Sequence, residues 1–192
     1  HTTEGTGKML AVGISAEALK PYLAGVESKV SIAAINSEQA ITLAGDEQVL
    51  ASIAQRVDEQ GQFARFLNVG VPYHSPVMDR LKEPLIEVLQ GIKVRTPEVP
   101  LYSTVTAQPA RDADFGPAYW VDNVREPVLF KAAIENIAAA GFMTFLEIAP
   151  HSVLSSSIAK NLEALESKGI VIAALKRDQH DVAMINQMLA SL

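Results

Sequence analysis

The chain has 192 residues, 48% of them hydrophobic, with a net charge of −6 and no cysteine. Its apolar content is enough for a buried core, whereas its acidic balance argues against nucleic acid and anionic membranes, which attract clustered Lys and Arg. We expect a cytoplasmic protein without disulfides, and no membrane partner, because no apolar run reaches the roughly 18 residues of a spanning helix.

The first part of the chain alternates short apolar runs with helical patterns. Ser15 and Asp46 are residue types that cap helices, and Gly61 is placed to end one. The order β-α-β-β-α-β is that of the ferredoxin-like split βαβ unit, so we predict such a small subdomain over residues 8–70. The predicted elements are strands at residues 9–14, 30–35, 40–43 and 62–69 and helices at residues 16–24 and 49–57.

Residues 71–192 combine longer helices with buried strands, which is the α/β pattern. Pro84 should kink the first helix or mark a later start, because proline lacks the N–H that continues the hydrogen-bond ladder. We predict a polar loop between residues 106 and 119. The predicted elements are helices at residues 78–89, 128–140, 154–165 and 178–192 and strands at residues 101–106, 142–148 and 170–175.

One segment, Val71-Pro72-Tyr73-His74-Ser75-Pro76, has unusual local chemistry. Two prolines stiffen this segment, which lies at the junction between the predicted small subdomain and residues 71–192. A histidine held rigidly there suits a general base, because its unperturbed pKa of about 6.5 lets it accept and return a proton near neutral pH. A loop histidine with one structural hydrogen bond is the alternative. The residues alone leave both interpretations open.

Other candidate sites are weaker. No histidine pair has zinc-site spacing and no acidic cluster has calcium-loop spacing, so we predict no metal site. A hydrolase-type serine needs the turn Gly-Xaa-Ser-Xaa-Gly, and the segment around Ser15 lacks the second glycine. We therefore predict that Ser15 is a helix cap and that His151 is a turn residue.

Six segments of the sequence, taken together, resemble the sequence motifs of one protein family. They include Val-Pro-Tyr-His-Ser-Pro-Val-Met-Asp at residues 71–79 and Tyr-Trp-Val-Asp-Asn-Val-Arg-Glu-Pro-Val-Leu-Phe at residues 119–130. The set resembles the malonyl-CoA-type acyltransferases, most closely the acyltransferase domains of modular polyketide synthases, and it follows the family's order over nearly the whole chain. The other segments are residues 7–13, 34–37 with 43–46, 100–106 and 145–151.

The resemblance implies a fold and an activity. The fold would be a ferredoxin-like subdomain inserted in an α/β-hydrolase-like large subdomain, of which only the C-terminal part, residues 71–192, is present. The serine elbow Gly-His-Ser-Xaa-Gly and the arginine for the substrate carboxylate would lie outside this sequence. The activity would move a malonyl-type extender unit from coenzyme A, through a serine ester, to the phosphopantetheine arm of an acyl carrier protein.

The resemblance also implies partners and roles for individual residues. The partners would be an acyl carrier protein and other polyketide synthase domains, with no cofactor bound by this chain itself. His74 matches the family's catalytic base, and Asn123 falls where a backbone carbonyl orients that histidine. Asn36 would lie in a loop that faces the substrate crevice.

Selectivity in the family is linked to the three residues before the histidine, here Val71, Pro72 and Tyr73. Malonyl-selective members carry His-Ala-Phe and methylmalonyl-selective members carry Tyr-Ala-Ser, so this sequence matches neither set. A bulky Tyr73 should fill the space of an α-methyl group, which favours malonyl. One methyl group is worth only about 1 to 3 kcal/mol, so the preference need not be strict.

Two alternatives stay open. The chain could be a non-catalytic ferredoxin-like module for ligand binding or docking, in which His74→Ala would change no transfer activity. It could also be a malonyl transacylase of fatty acid synthesis, which keeps the same chemistry. Residues 119–130 resemble the polyketide version more closely.

Overall fold

The computed structural model describes residues 5–111 and 114–191, which fall into two units that divide after Phe130. This division does not coincide with the predicted subdomain boundary after residue 70. The reason is that backbone and side-chain hydrogen bonds tie His74 and Val128 to a strand of the preceding sheet. Each unit is described by itself below.

The first unit begins with an antiparallel sheet in the predicted element order. Its four strands, β1 Lys8–Val12, β2 Val30–Ser37, β3 Ala40–Gly45 and β4 Ala64–Phe66, lie side by side as β2-β3-β1-β4. Two helices supply the apolar side chains that cover one face. Ser15 and Asp46 cap the helices as predicted, with their side-chain oxygens 3.1 and 3.0 Å from the N–H nitrogens of Ala18 and Val49. The two helices are α1 Ala16–Leu23, between β1 and β2, and α2 Glu47–Asp58, between β3 and β4.

The core of this sheet explains the alternation in its sequence. In-register neighbours such as Leu10 and Leu43 point to the same face, where the helices bury them. The strands and helices therefore hold each other by apolar burial, worth roughly 1.5 to 3 kcal/mol for each large side chain. The buried members are Leu10, Val12, Leu19, Tyr22, Val30, Ile41, Leu43, Leu50, Ile53 and Val57.

Helices follow the sheet in the first unit. A 3₁₀ helix at Pro76–Leu81 leads into α3, Lys82–Leu89, so Pro84 lies in the first turn and the later helix start is confirmed. Helix α4, Pro117–Arg125, was not predicted. The pair Gly116-Pro117 is its sequence signal, because proline suits the first helical position.

The predicted strand at residues 101–106 is wrong. The hydroxyl of Ser103 accepts hydrogen bonds from the N–H groups of Val105 and Thr106, at 3.0 and 3.3 Å, and closes a turn there. One isolated bridge joins Tyr102 and Pro109. The side chain of a serine thus competes with strand formation in a segment whose apolar alternation favours a strand.

The second unit has the predicted alternation of helices and strands. Its two strands pair in parallel, with Phe145 opposite Val171. Gly141 follows the first helix with φ of 92°, as expected for a residue that ends a helix. The predicted end of the last helix at Leu192 lies outside the described residues. The elements are α5 Phe130–Ala139, β5 Thr144–Glu147, α6 Ser155–Ala164, β6 Ile170–Ala173 and α7 Asp181–Leu189.

The carboxylate of Glu147 caps helix α6. Its oxygens accept hydrogen bonds from the N–H groups of Val153, Leu154 and Ser155 at 2.7, 2.9 and 2.8 Å, and from the hydroxyls of Ser155 and Ser152. Burial alone would raise the pKa of Glu147, but the hydrogen bonds from the Ser155 hydroxyl and the three N–H groups lower it to about 2. One side chain therefore satisfies N–H groups that a helix leaves free at its start.

We expect acid to destabilise the second unit through Glu147. Because its folded pKa of about 2 lies below the ordinary 4.5, its contribution is present above 4.5 and is lost as the pH falls towards 2. Glu147→Gln should cost about 1 to 2 kcal/mol at neutral pH, a value reduced for solvent screening, and less in acid. Urea unfolding at neutral and acidic pH measures this.

The matched control is Glu163→Gln, which changes an exposed glutamate within helix α6 itself. It removes one negative charge without touching the start of α6, so its unfolding free energy should differ little from that of the wild type. Equal effects of the two variants at neutral pH would contradict the capping role.

Candidate active site around His74

His74 lies between β4 and the 3₁₀ helix in a left-handed backbone conformation, with φ of 60°. A residue other than glycine adopts this backbone conformation at a cost of roughly 1 to 3 kcal/mol, so contacts with its surroundings must hold His74 there. The hydroxyl of Ser75 donates to the carbonyl of Pro72 at 2.6 Å, and the N–H of Tyr73 donates to the carbonyl of Val71 at 3.0 Å. These local bonds close the loop around the histidine.

Three longer-range contacts fix His74 itself. Its N–H donates to the carbonyl of Val124 at 3.0 Å, and its carbonyl accepts from the hydroxyl of Ser31 at 2.7 Å. On the ring, Nδ1 lies 2.7 Å from the carbonyl oxygen of Glu126. Both the backbone and the imidazole are therefore held by groups distant in sequence.

The ring contact determines the tautomer of the neutral imidazole. A carbonyl oxygen can only accept, so Nδ1 of His74 carries the proton and Nε2 keeps a lone pair. Burial lowers the pKa of His74 below its ordinary 6.5, and the Glu126 carbonyl offsets part of this shift by favouring the charged form. At neutral pH the ring is thus mainly uncharged and able to take a proton on Nε2.

The orienting carbonyl belongs to Glu126 and not to Asn123, the residue named from the sequence. Helix α4 ends at Arg125, and Glu126 has extended backbone angles, φ −82° and ψ 158°. An extended residue turns its carbonyl away from the helix axis, whereas Asn123 lies within the last helical turn. The contact with the ring thus lies within the segment of residues 119–130, three residues after Asn123.

Edge strand β2 holds the residues that follow Glu126. The N–H of Val128 donates to the carbonyl of Ala33, and the N–H of Ile35 donates to the carbonyl of Val128, both at 2.9 Å. Because β2 is the outer strand of the sheet, its free backbone groups are available for this pairing. The same strand carries Ser31, so it is hydrogen-bonded both to His74 and to the segment that follows Glu126.

An ion-pair cluster links the 3₁₀ helix to α4. Nε of Arg125 and Nζ of Lys82 each lie 2.9 Å from the same carboxylate oxygen of Asp79. The hydrogen bond from Lys82, assisted by Arg125, lowers the pKa of Asp79 below its usual range. Exposed pairs contribute only about 0 to 1 kcal/mol each, so the cluster orients the two helices more than it stabilises them.

The other predicted site residues differ in their exposure and in their position relative to His74. Tyr73 is 47% exposed and its ring centroid lies 6.5 Å from that of His74. Pro72 is fully buried and Val71 is half-buried, and their contact with substrate stays a prediction. Asn36 lies within β2 and not in the predicted loop, because the strand continues to Ser37. Its contact with substrate stays a prediction.

Two residues that hydrogen-bond to His74 could not have been predicted from the sequence. Ser31 is an ordinary serine in a strand with no motif around it, and only the fold places it against His74. Glu126 lies in a segment that the sequence did single out, yet every residue there carries the same backbone carbonyl.

Two further features concern the described residues alone. Within residues 5–111 and 114–191, no three His, Asp or Glu side chains converge as they would around a metal ion. In that same part of the chain, every helix is too short or too polar to cross a membrane.

Comparison with known proteins gives consistent matches over the whole chain. The family model described as "Acyl transferase domain" matches residues 1–192. The spectinabilin polyketide synthase system protein NorC of Streptomyces orinoci is 33% identical over 177 residues, which cover 91% of this chain and 8% of that protein.

Two solved structures have the same fold. The acyltransferase domain from module 8 of the salinomycin polyketide synthase has a TM-score of 0.94 and 27% identity, covering 98% of this chain and 45% of that one. The malonyl CoA-acyl carrier protein transacylase of Clostridium perfringens has a TM-score of 0.84 and 25% identity, covering 98% and 58%. The 192 residues thus span about half the length of each solved chain.

We expect His74 to titrate below its ordinary pKa and, when neutral, to carry its proton on Nδ1. Burial outweighs the Glu126 carbonyl in setting the pKa, and that carbonyl selects the tautomer. A pH series of ¹⁵N-detected imidazole spectra measures both quantities. The unfolded chain in concentrated urea serves as the control. A folded pKa at or above the unfolded value, or a proton on Nε2, would contradict this account.

Proposed function

Since this chain belongs to the acyltransferase domain family found in polyketide synthases, we propose that it supplies the general base of an acyl transfer from coenzyme A to an acyl carrier protein. The observation that carries the proposal is the neutral imidazole of His74, with Nδ1 bound to a carbonyl and Nε2 left with a lone pair. General base catalysis of this kind is typically worth about 10² to 10⁴ in rate.

The proposed reaction has two half-reactions. In the first, Nε2 of His74 takes the proton of a serine hydroxyl while that oxygen attacks the thioester carbon, and the departing coenzyme A sulfur receives the proton. In the second, His74 takes the proton of the phosphopantetheine thiol, the sulfur attacks the serine ester, and the serine oxygen regains a proton. The Glu126 carbonyl stabilises the imidazolium in both.

We place the nucleophilic serine outside these 192 residues. The sequence contains no Gly-Xaa-Ser-Xaa-Gly turn, and Ser15, the nearest approach to one, caps helix α1 through its hydroxyl. A solved domain of this family is about twice as long as the present chain. The proposal therefore assigns His74 to one part of an active site that a second segment completes.

We also interpret the sheet of the first unit as the family's ferredoxin-like small subdomain, residues 8–70. Its element order and its strand order β2-β3-β1-β4, with helices on one face, support this interpretation. Residues 71–192 would then belong to an α/β-hydrolase-like large subdomain. The expected partners are an acyl carrier protein and other polyketide synthase domains, with the protein in the cytoplasm.

A malonyl transacylase of fatty acid synthesis is the second candidate. The fold likeness to the Clostridium perfringens malonyl CoA-acyl carrier protein transacylase favours it. The chemistry at His74 would be unchanged, and the difference lies in the carrier protein. Transfer to a polyketide synthase carrier and to a fatty acid carrier, measured side by side, distinguishes the two.

The test of the proposed function uses an extended protein, in which this chain is joined to a segment of about one small domain that carries the serine elbow of the family. Intact-protein mass after incubation with malonyl-CoA or methylmalonyl-CoA detects the acyl-enzyme. We expect His74→Ala to slow adduct formation by about 10² to 10⁴, because the serine then lacks its base.

The matched control is His180→Ala, which removes an exposed histidine at the start of α7. That variant should acylate at the wild-type rate. An extended protein that forms no adduct with either thioester, or a His74→Ala variant that is as fast as His180→Ala, would shift the interpretation to a non-catalytic module.

Tyr73 carries the prediction for selectivity. Its ring is exposed and its centroid lies 6.5 Å from that of His74, which supports the proposal that it fills the space of an α-methyl group and that malonyl is the extender unit. We expect Tyr73→Ser to raise the ratio of methylmalonyl to malonyl transfer by roughly tenfold or more, within the range that one methyl group controls. Competition between the two thioesters measures the ratio. Tyr73→Phe, which keeps the ring, should retain the wild-type ratio, and an equal shift in both variants would contradict a steric role.

A further inference from the structure

We propose that Ser31 is a positioning residue for His74, acting from strand β2 on the backbone of the histidine. The evidence is the hydrogen bond from the Ser31 hydroxyl to the His74 carbonyl, 2.7 Å long and partly buried, across 43 residues of sequence. The catalytic consequence rests on the proposed function, whereas the effect on the geometry of the imidazole does not.

The contact acts on a strained point of the chain. His74 has φ of 60°, a conformation that a residue with a β-carbon leaves readily when it is not held. Its N–H is bound to the Val124 carbonyl and its own carbonyl to Ser31. The two peptide planes that flank the α-carbon are thus each held by a distant group, which fixes the direction of the side chain.

Strand β2 holds both His74 and the segment that carries Glu126. Ser31 binds His74, and two and four residues further along Ala33 and Ile35 bind Val128, which follows closely after Glu126. Distances between groups held by one strand vary little, because the strand is itself hydrogen-bonded to β3. Loss of the Ser31 hydroxyl would release the histidine side while leaving the Glu126 side in place.

Ser31 can be tested without disturbing the core. It is absent from the apolar cluster that stabilises the sheet, and its side chain is half-buried. Ser37, in the same strand, offers a matched control. It is 2% exposed, and its hydroxyl has no hydrogen-bond partner among the described residues, so Ser37→Ala removes the same group without affecting His74.

The first experiment measures the tautomer of His74 in the 192-residue chain by ¹⁵N-detected imidazole spectra. Ser31→Thr and Ser31→Val are nearly identical in shape and differ in the hydroxyl. We expect Ser31→Thr to keep the proton on Nδ1. In Ser31→Val and Ser31→Ala the fraction with the proton on Nε2 should rise about five- to tenfold, the ratio that one ordinary hydrogen bond controls. Ser37→Ala should match the wild type.

The second experiment measures acyl transfer in the extended protein. We expect Ser31→Val to lower kcat by about fivefold while KM for the acyl-CoA stays within about twofold, because the base is displaced and the thioester site is not. Ser31→Thr should restore kcat. A wild-type tautomer and a wild-type kcat in both Ser31→Val and Ser31→Ala would overturn the positioning role.

The two proposals fail in distinguishable ways. Transfer that does not depend on His74 would remove the proposed function, and the tautomer measurement would still decide whether Ser31 positions the ring. Transfer that requires His74 but is indifferent to Ser31 would retain the function and overturn this inference. If Ser31→Ala unfolds, the comparison of Ser31→Thr with Ser31→Val still isolates the hydroxyl.

Discussion

Two backbone hydrogen bonds between Val128 and edge strand β2 join parts of the chain that lie far apart in sequence. Through them the segment after helix α4 docks on the sheet, and Glu126 is carried to the ring of His74. The apolar core between the sheet and helices α1 and α2 makes that strand rigid enough to serve as a support. The ring contact of His74 therefore depends on a sheet whose buried core is made of other residues.

The site combines a costly conformation with several weak restraints. A left-handed His74 is unfavourable by roughly 1 to 3 kcal/mol, and one ordinary hydrogen bond returns only about 1 kcal/mol. The bonds to Val124, Ser31 and Glu126 together are comparable to that cost, and the cluster around Asp79 adds orientation at little gain in stability. Strain of this kind persists where the surroundings over-determine the geometry, which is common at functional sites.

Sequence reasoning succeeded where the deciding interaction is local. The caps at Ser15 and Asp46 were predictable because each side chain bonds an N–H three residues ahead. His74 was proposed from its stiff segment and from a family resemblance, and its catalytic role stays a prediction. The strand at residues 101–106 failed because the hydroxyl of Ser103 outweighed an apolar alternation, and Asn123 was named for a contact that Glu126 makes. Carbonyls are the same in every residue, so only the fold distinguishes them.

The docking of Val128 on β2 also has a consequence for association between molecules. An outer strand presents unpaired N–H and C=O groups that can recruit a strand from another chain and start aggregation. Val128 occupies the backbone groups of Ala33 and Ile35 on one side of the sheet, and β4, on the other side, has only three residues. The contact that brings Glu126 to His74 thus covers part of the sheet edge against intermolecular strand pairing, so a variant that loosens it would endanger solubility together with the geometry of His74.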